Sequence, residues 1–323
     1  MWPSSRTNSP KHFLPLFNGK SLFEINYGVL RKKFSPEDIY VSTNINQAEM
    51  AQKLVPEIPK DNYILEPEMK NHGPATGLIA AFLFKKFPDE PFMLVQPDDL
   101  REPEEKFLKM MEICDKIARS TDKYITGGFR PDFAVMGVDY LIKGEKVNES
   151  EEVEVYKVDK FLWRGTKETA EGYVKDGKAL LHANHTCMTP RNLLKMYQKY
   201  KKDWYEPLLN YINGADLATE YAKMSKGPME DVTHLAHEAG ESLVVELPFK
   251  WVDFGTWESV ANYLGSDENN NFVKTNKYTA IIGLKDLVVV ETDDALLICK
   301  KDESGKVGEV VEKLKAEGKS ELV

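Results

Sequence analysis

The sequence predicts an α/β domain on a mixed, mostly parallel sheet, followed by a small β-rich C-terminal unit. Three observations carry this. From residue 21 to about 265, short apolar runs bounded by turn residues alternate with longer amphipathic segments, as βαβ units do. The polar run Asp267-Glu268-Asn269-Asn270-Asn271 breaks that alternation and reads as a linker. Beyond it only short β runs and one helix remain. The 323 residues are therefore divided into 1–265 and 266–323.

Residues 1–20 read as loop, because Pro3, Pro10, Pro15 and Asn18-Gly19 interrupt any period. Ser21 to Lys33 is an amphipathic helix with Leu22, Ile25, Val29 and Leu30 on one side. A strand over 38–43, a helix over 47–54 and a strand over 63–65 follow. The polar loop 66–73 ends at Pro74, which is placed as the first helical residue of an apolar helix. Phe92 to Val95 reads as a buried central strand, and 103–119 as a helix. Strands are expected at 124–128, 133–142, 152–158 and 242–247, with helices at 167–176 and 190–212. Lys250 to Trp257 is placed as a tight aromatic loop. The tail carries β runs at 279–282, 287–291 and 295–299, then a helix at 307–314.

Composition narrows the function classes. A net charge of −9 without any Lys/Arg block argues against a general nucleic-acid surface. No apolar run approaches the ~18 residues a membrane span needs. Cys114, Cys187 and Cys299 are few and far apart, so a disulfide framework is not expected and a reducing cytoplasm fits.

The strand at Phe92 stops at Gln96-Pro97 and delivers Asp98 and Asp99 to what should be the ligand-binding edge of the sheet. Paired carboxylates there suit Mg²⁺, although an Asp capping the helix that starts near Pro103 fits the same residues.

Several landmarks together resemble the mannose-1-phosphate guanylyltransferases, members of the sugar-nucleotidyltransferase family. Trp2-Pro3-Ser4-Ser5-Arg6 matches the end of that family's GGxGTRLWPLSR loop, and Pro10-Lys11-His12-Phe13 its PKQF. Glu66-Pro67-Glu68-Met69-Lys70-Asn71-His72-Gly73-Pro74-Ala75 matches EPxxRNTAPA, and Pro97-Asp98-Asp99-Leu100 the PADH turn. Thr126 to Pro131 resembles TFGIxP, Asp159-Lys160-Phe161 the EKP, and Ala183 to Met188 WNSGMF. Trp251-Val252-Asp253-Phe254-Gly255-Thr256-Trp257 is close to WxDxGSW, and Gly283 to Leu297 resembles the tail of short bacterial members.

This resemblance implies a Rossmann-like nucleotidyltransferase fold and Mg²⁺-dependent synthesis of GDP-mannose and pyrophosphate from GTP and mannose 1-phosphate. Asp99 and Asp253 would hold the metal, while Arg6 and Lys11 would be catalytic cations. Without the flanking pattern, Lys11 also fits a solvated loop lysine. Glu66, Asn71, Pro74, Ala75 and Pro97 would bind the nucleotide. Gly128, Asp159, Lys160 and Asn184 would bind the sugar phosphate, with a solvated ion pair at a strand end as the other reading of Asp159-Lys160. The resemblance also allows a homodimer formed through the β tails.

Departures cluster at the site. Met1 stands at the Leu of GTRL, which predicts a first strand and Gly-rich loop encoded upstream. Val135-Met136 replace Glu-Thr, and His185-Thr186 replace Ser-Gly. A catalytically silent nucleotide-binding or regulatory relative, and transfer to another hexose 1-phosphate, are the competing expectations. The pairs His182/His185 beside Cys187 and His234/His237 beside Glu238 have spacings usable by a transition metal, but are expected to be solvated surface.

Overall fold

A computed structural model describes residues 1–134, 138–148, 150, 152–164 and 166–323. After an N-terminal loop come α1 (Leu22–Leu30), β1 (Val41–Thr43), α2 (Ile45–Leu54), β2 (Tyr63–Leu65) and α3 (His72–Phe84). Next are β3 (Phe92–Met93), β4 (Asp99–Glu102), α4 (Glu104–Ser120), β5 (Tyr124–Phe129), β6 (Tyr140–Lys146) and β7 (Val155–Leu162). Then follow α5 (Lys167–Lys175), β8 (Ala179–Met188), α6 (Pro190–Tyr200), α7 (Lys202–Ile212), α8 (Leu217–Lys223) and α9 (Glu230–Glu238). The chain ends with β9 (Ser242–Glu246), β10 (Lys250–Asp253), α10 (Trp257–Leu264), β11 (Phe272–Lys274), β12 (Leu287–Glu291), β13 (Leu296–Lys300) and α11 (Val307–Ala316).

Local chemistry sets several of these boundaries. Ser21 and Glu24 form a reciprocal capping box that starts α1. Asn44, Thr166, Thr189 and Asp216 cap α2, α5, α6 and α8 through their side-chain oxygens. The single helix expected over 190–212 is two, because Lys201 leaves helical geometry at φ −146° and ψ 69°.

The main sheet has the order β3-β8-β5-β9-β7-β6. It is mixed, as expected, but not mostly parallel: only β5 and β9 run parallel within it. The ten-residue β8 causes much of the difference, since it runs antiparallel to β3, β5 and β6. The parallel pair β1–β2 forms a separate two-stranded sheet. Alternate residues of β5, β8 and β9 face opposite layers. Ile125, Cys187, Leu243 and Val245 pack on Phe107, Met110 and Cys114 of α4. Tyr124 and Met188 pack on the other side with residues of α3, α6, α7 and α9.

Phe92 to Val95 is not a central strand. β3 holds two residues at the sheet edge, paired only with the end of β8, and the whole segment is half-buried. The chain then turns and opens a separate ribbon, β4 antiparallel to β10. The aromatic loop expected from Lys250 therefore begins as a strand.

The polar run 267–271 is an ordered turn and not a loose linker. Asp267 accepts from the backbone N–H of Asn269 and Asn271, and the buried Asn271 accepts from Leu287 N–H. The C-terminal sheet β11-β12-β13 shares one core with Trp2, Phe17, Leu100, Phe254 and Trp257. Residues 279–282 form no strand, and Tyr278 and Ile282 stand almost fully in solvent. Among the described residues no helix is long and apolar enough to cross a membrane.

Candidate active site

The β4–β10 ribbon builds an acidic cluster from distant parts of the chain. Asp253 lies directly opposite Asp99 in the antiparallel register, and Trp251 opposite Arg101. One carboxylate oxygen each from Asp98, Asp99 and Asp253 falls within 4.8 Å of the others. Gly255 lets the chain fold back onto this point, since a Cβ there would stand 3.1 Å from Asp253 Oδ2. Asp99 is only 4% exposed, Asp98 is half-buried and Asp253 is open to solvent. Burial pushes the Asp99 carboxyl up to about 6; Asp98 and Asp253 push the same way, against the Trp251 indole and Arg101.

These residues fit Mg²⁺. They offer hard oxygen ligands, two of them held on paired strands. Octahedral bonds of about 2.1 Å place ligand oxygens roughly 3–4 Å apart, so the observed spacing needs only a small closure.

Lys11 joins the cluster. A short 3₁₀ turn, Lys11–Phe13, is anchored by buried Phe13 against Phe23. It brings Lys11 Nζ to 2.9 Å from Asp98 and 3.6 Å from Asp253. Arg6 points elsewhere. Its guanidinium pairs with Asp294 at 2.8 Å and donates to the carbonyls of Pro3 and Glu321, tying the N-terminal loop to the tail. The two cations expected together are thus separated.

Two residues behind the cluster, Asn26 and Arg101, were not expected, and His185 was expected only as a departure from the family pattern and as one of a histidine pair. Asn26, Arg101 and His185 are all buried. Asn26 Nδ2 donates to the carbonyls of Leu22, Pro97 and Asp99, and its Oδ1 accepts from Arg101 at 2.9 Å. Arg101 also donates to Gln96 O and to His185 Nε2, and stacks over Phe107. The available signal was a lone Asn within the apolar stripe of α1, four residues after Leu22. Arg101 carried no periodic signal beyond its place after the Asp pair.

The expected nucleotide residues lie on one well-held loop, Pro97 excepted. Glu66 Oε1 accepts from Tyr221 Oη at 2.6 Å and from Lys70 N–H, so it holds the loop to α8. Gly73 N–H donates to Gly227 O, and Gly227 N–H to Lys70 O. Asn71 caps α3 at φ 72°, a left-handed geometry that Asn tolerates, and its side chain accepts from His72 N–H. Because α3 starts at His72, Pro74 is its third residue and not its first; it is buried, and Ala75 is half-buried. Pro97 contributes its carbonyl to Asn26.

The expected sugar-phosphate residues do not form one visible constellation. Gly128 is buried within β5, where a Cβ would stand 2.8 Å from Leu180 Cβ and 3.0 Å from Val244 Cγ2. Asp159 and Lys160 are exposed on β7, with Lys160 Nζ 5.8 Å above the Tyr173 ring. The side chain of Asn184 and the Val135-Met136 departure lie outside the described part of the structure.

The histidines are not solvated surface. His185 and His237 are 1% and 3% exposed, and His182 and His234 are half-buried. His237 packs against Tyr124, Phe161 and His182 and pairs through Nδ1 with Ser242 Oγ at 2.6 Å. His182 Nε2 meets Thr126 Oγ1 at 3.0 Å. Among the described residues the potential metal-holding group is the Asp cluster, and no histidine belongs to it.

Comparison with known proteins follows the same lines. The MannoseP isomerase/GMP-like β-helix domain family matches residues 261–314. Mannose-1-phosphate guanylyltransferase 2 of Escherichia coli O157:H7 is 27% identical across all of this chain and 72% of its own length. Mannose-1-phosphate guanylyltransferase of Klebsiella pneumoniae is 26% identical over 99% of this chain and 72% of its own length. A Thermus thermophilus crystal structure described as a mannose-1-phosphate geranyltransferase shares the fold. Its TM-score is 0.83 at 23% identity, covering 98% of this chain and 95% of that one. In sequence along its whole length and in architecture, the chain is similar to the mannose-1-phosphate guanylyltransferases, sugar nucleotidyltransferases.

Proposed function

We propose that the protein transfers a guanylyl group from GTP to mannose 1-phosphate, releasing pyrophosphate and forming GDP-mannose. The observation that carries this reading is the direct pairing of Asp99 with Asp253 across the β4–β10 ribbon, with Asp98 and Lys11 beside them. The sugar phosphate oxygen attacks the α-phosphorus of the triphosphate, and the bond to the β-phosphate oxygen breaks. Such a transfer needs alignment and positive charge more than covalent help. Asp99 and Asp253 would hold Mg²⁺, which would supply positive charge against the triphosphate. Lys11 donates to a phosphate oxygen as a point charge. The clamped loop from Glu66 to Ala75 presents the start of α3 to the base, and Asp159, Lys160 and Asn184 serve the sugar phosphate. Arg6 supports the loop that carries Lys11. The cytoplasm is the proposed compartment, consistent with three free cysteines. Two copies pair through the outer face of the C-terminal sheet, where Val273, Leu296 and Ile298 are exposed.

A coupled pyrophosphate-release assay tests the function, with GTP, ATP or UTP crossed against mannose and glucose 1-phosphates. Fastest release is expected for GTP with mannose 1-phosphate. Faster release from another pair corrects the substrates and keeps the reaction class. No release from any pair supports a silent relative. Sedimentation at micromolar concentration tests the pairing, and a monomer there contradicts it.

A further inference from the structure

The turn that carries Asp98 and Asp99 is gripped from inside the protein. The carbonyl of Gln96 accepts from Arg101 Nη2 at 3.2 Å, that of Pro97 from Asn26 Nδ2 at 3.3 Å, and that of Asp99 from Asn26 Nδ2 at 2.9 Å. The two gripping side chains are bonded to each other, Arg101 Nη1 to Asn26 Oδ1 at 2.9 Å. Each has its own anchor. Asn26 also holds Leu22 O within α1, while Arg101 donates through Nε to His185 Nε2 of β8 and lies over the Phe107 ring of α4. Two side chains therefore hold three carbonyls of one short turn, and α1, β8 and α4 hold those side chains in turn.

Arg101 does not spend its hydrogen bonds on the Asp99 carboxylate. Its Nη2 is 3.8 Å from Asp99 Oδ2, beyond hydrogen-bond reach, and its donors go to neutral acceptors. Arg101 is 6% exposed, and its rigid fork is held by these bonds and by the Phe107 ring. One oxygen of the Asp99 carboxylate, which also meets the Trp251 indole, lies within 4.8 Å of oxygens of Asp98 and Asp253.

We propose that Asn26 and Arg101, braced by His185, are positioning residues: a buried clamp that orients Asp99 toward a divalent cation. This rests on the metal reading given above. Partners behind metal ligands commonly set affinity through orientation. It also gives a use to His185, which stands where the family pattern has Ser: its ring brings β8 within reach of Arg101.

The test is Mn²⁺ binding to the whole chain, followed by the electron spin resonance of free Mn²⁺, with the folded fraction checked by circular dichroism. Arg101→Met and Asn26→Leu are expected to weaken Mn²⁺ by about 10-fold in protein that remains folded. Arg101→Lys keeps the charge without the fork and should recover only part of the loss. A purely structural role would lower the melting temperature while leaving Mn²⁺ affinity of folded protein unchanged, and that result overturns the clamp. Should Arg101→Met fail to fold, Arg101→Lys decides, and wild-type affinity in that variant overturns the proposal. Failure of the metal reading looks different: wild type binds no Mn²⁺ above background, and Asp99→Ala changes nothing.

Discussion

The acidic cluster and the residues expected to hold the sugar phosphate are built in different ways. Asp99 and Asp253 meet because two strands pair in one register, and a register moves as a unit. Gly128, Asp159 and Lys160 instead sit on two strands of the main sheet, one under core side chains and two in solvent. A site set by register survives extensive change around it. A pocket lined by individual side chains is remade by each substitution.

The largest expected effect separates the two regions. Asp99→Ala combined with Asp253→Ala removes two of three carboxylates and should lower Mn²⁺ affinity by at least ~100-fold. Asp159→Asn with Lys160→Gln should leave Mn²⁺ binding as it is while weakening mannose 1-phosphate. Isothermal titration with each ligand reads both. Loss of Mn²⁺ binding in the second pair would merge the regions and end the comparison.

Acid stability gives the next effect. Burial holds the His185 imidazole down to about 3 and that of His237 well below the ordinary histidine range; Arg101 adds to the first effect and His182 to the second. An unfolded histidine takes a proton near pH 6.5, so the unfolded chain binds protons that the folded one refuses. Stability should fall as pH drops below about 6.5, each histidine contributing up to ~1.4 kcal/mol per pH unit. Asp99 acts oppositely. Its raised value means the folded chain keeps a proton that the unfolded one releases, which offsets about one histidine between roughly pH 4 and 6. Urea midpoints at pH 7, 6 and 5 should decline, and His237→Gln should flatten the decline. A level midpoint would mean these rings are not buried.

Much of the site could be read in the sequence where short motifs carry backbone geometry. Asp99, Asp253 and Lys11, singled out from motifs, lie close together because a strand pair and one anchored turn suffice to place them. The clamp was not legible. Asn26 bonds to carbonyls 71 and 73 residues away, and Arg101 joins it across 75 residues, which no local period encodes. Likewise, alternation between strands and helices revealed α/β architecture but not strand direction. β8 returns antiparallel to three neighbours, a matter of chain path and not of composition. Buried His237 was misjudged because His-x-x-His spacing says nothing about which side a helix packs, and His185 because it lies on the strand β8 and not on a helix. α9 turns His237 inward against Tyr124 and Phe161.

Gly128 shows how a matched motif residue acquires a second reason to exist. Gly128→Ala would push a methyl group between Leu180 and Val244, and such overpacking costs about 1–3 kcal/mol. Chemical denaturation should show that loss, with Mn²⁺ affinity untouched. Wild-type stability would mean that the neighbouring strands shift to accept the methyl group.

The smallest expected effect is also the one with a change of sign. Lys11 Nζ rests on two of the carboxylates that a cation would use, so it competes with metal while no phosphate is present. Partly exposed ion pairs are worth at most ~1 kcal/mol, so Lys11→Met should tighten Mn²⁺ alone by no more than about fivefold. With GTP present the same ammonium has phosphate oxygens to meet, and its loss should weaken the Mn²⁺–GTP complex. Titrations with and without GTP therefore move in opposite directions for one substitution. If both weaken, Lys11 supports the cluster and does not compete within it. If both tighten, Lys11 has no phosphate partner, and its role in the proposed transfer fails.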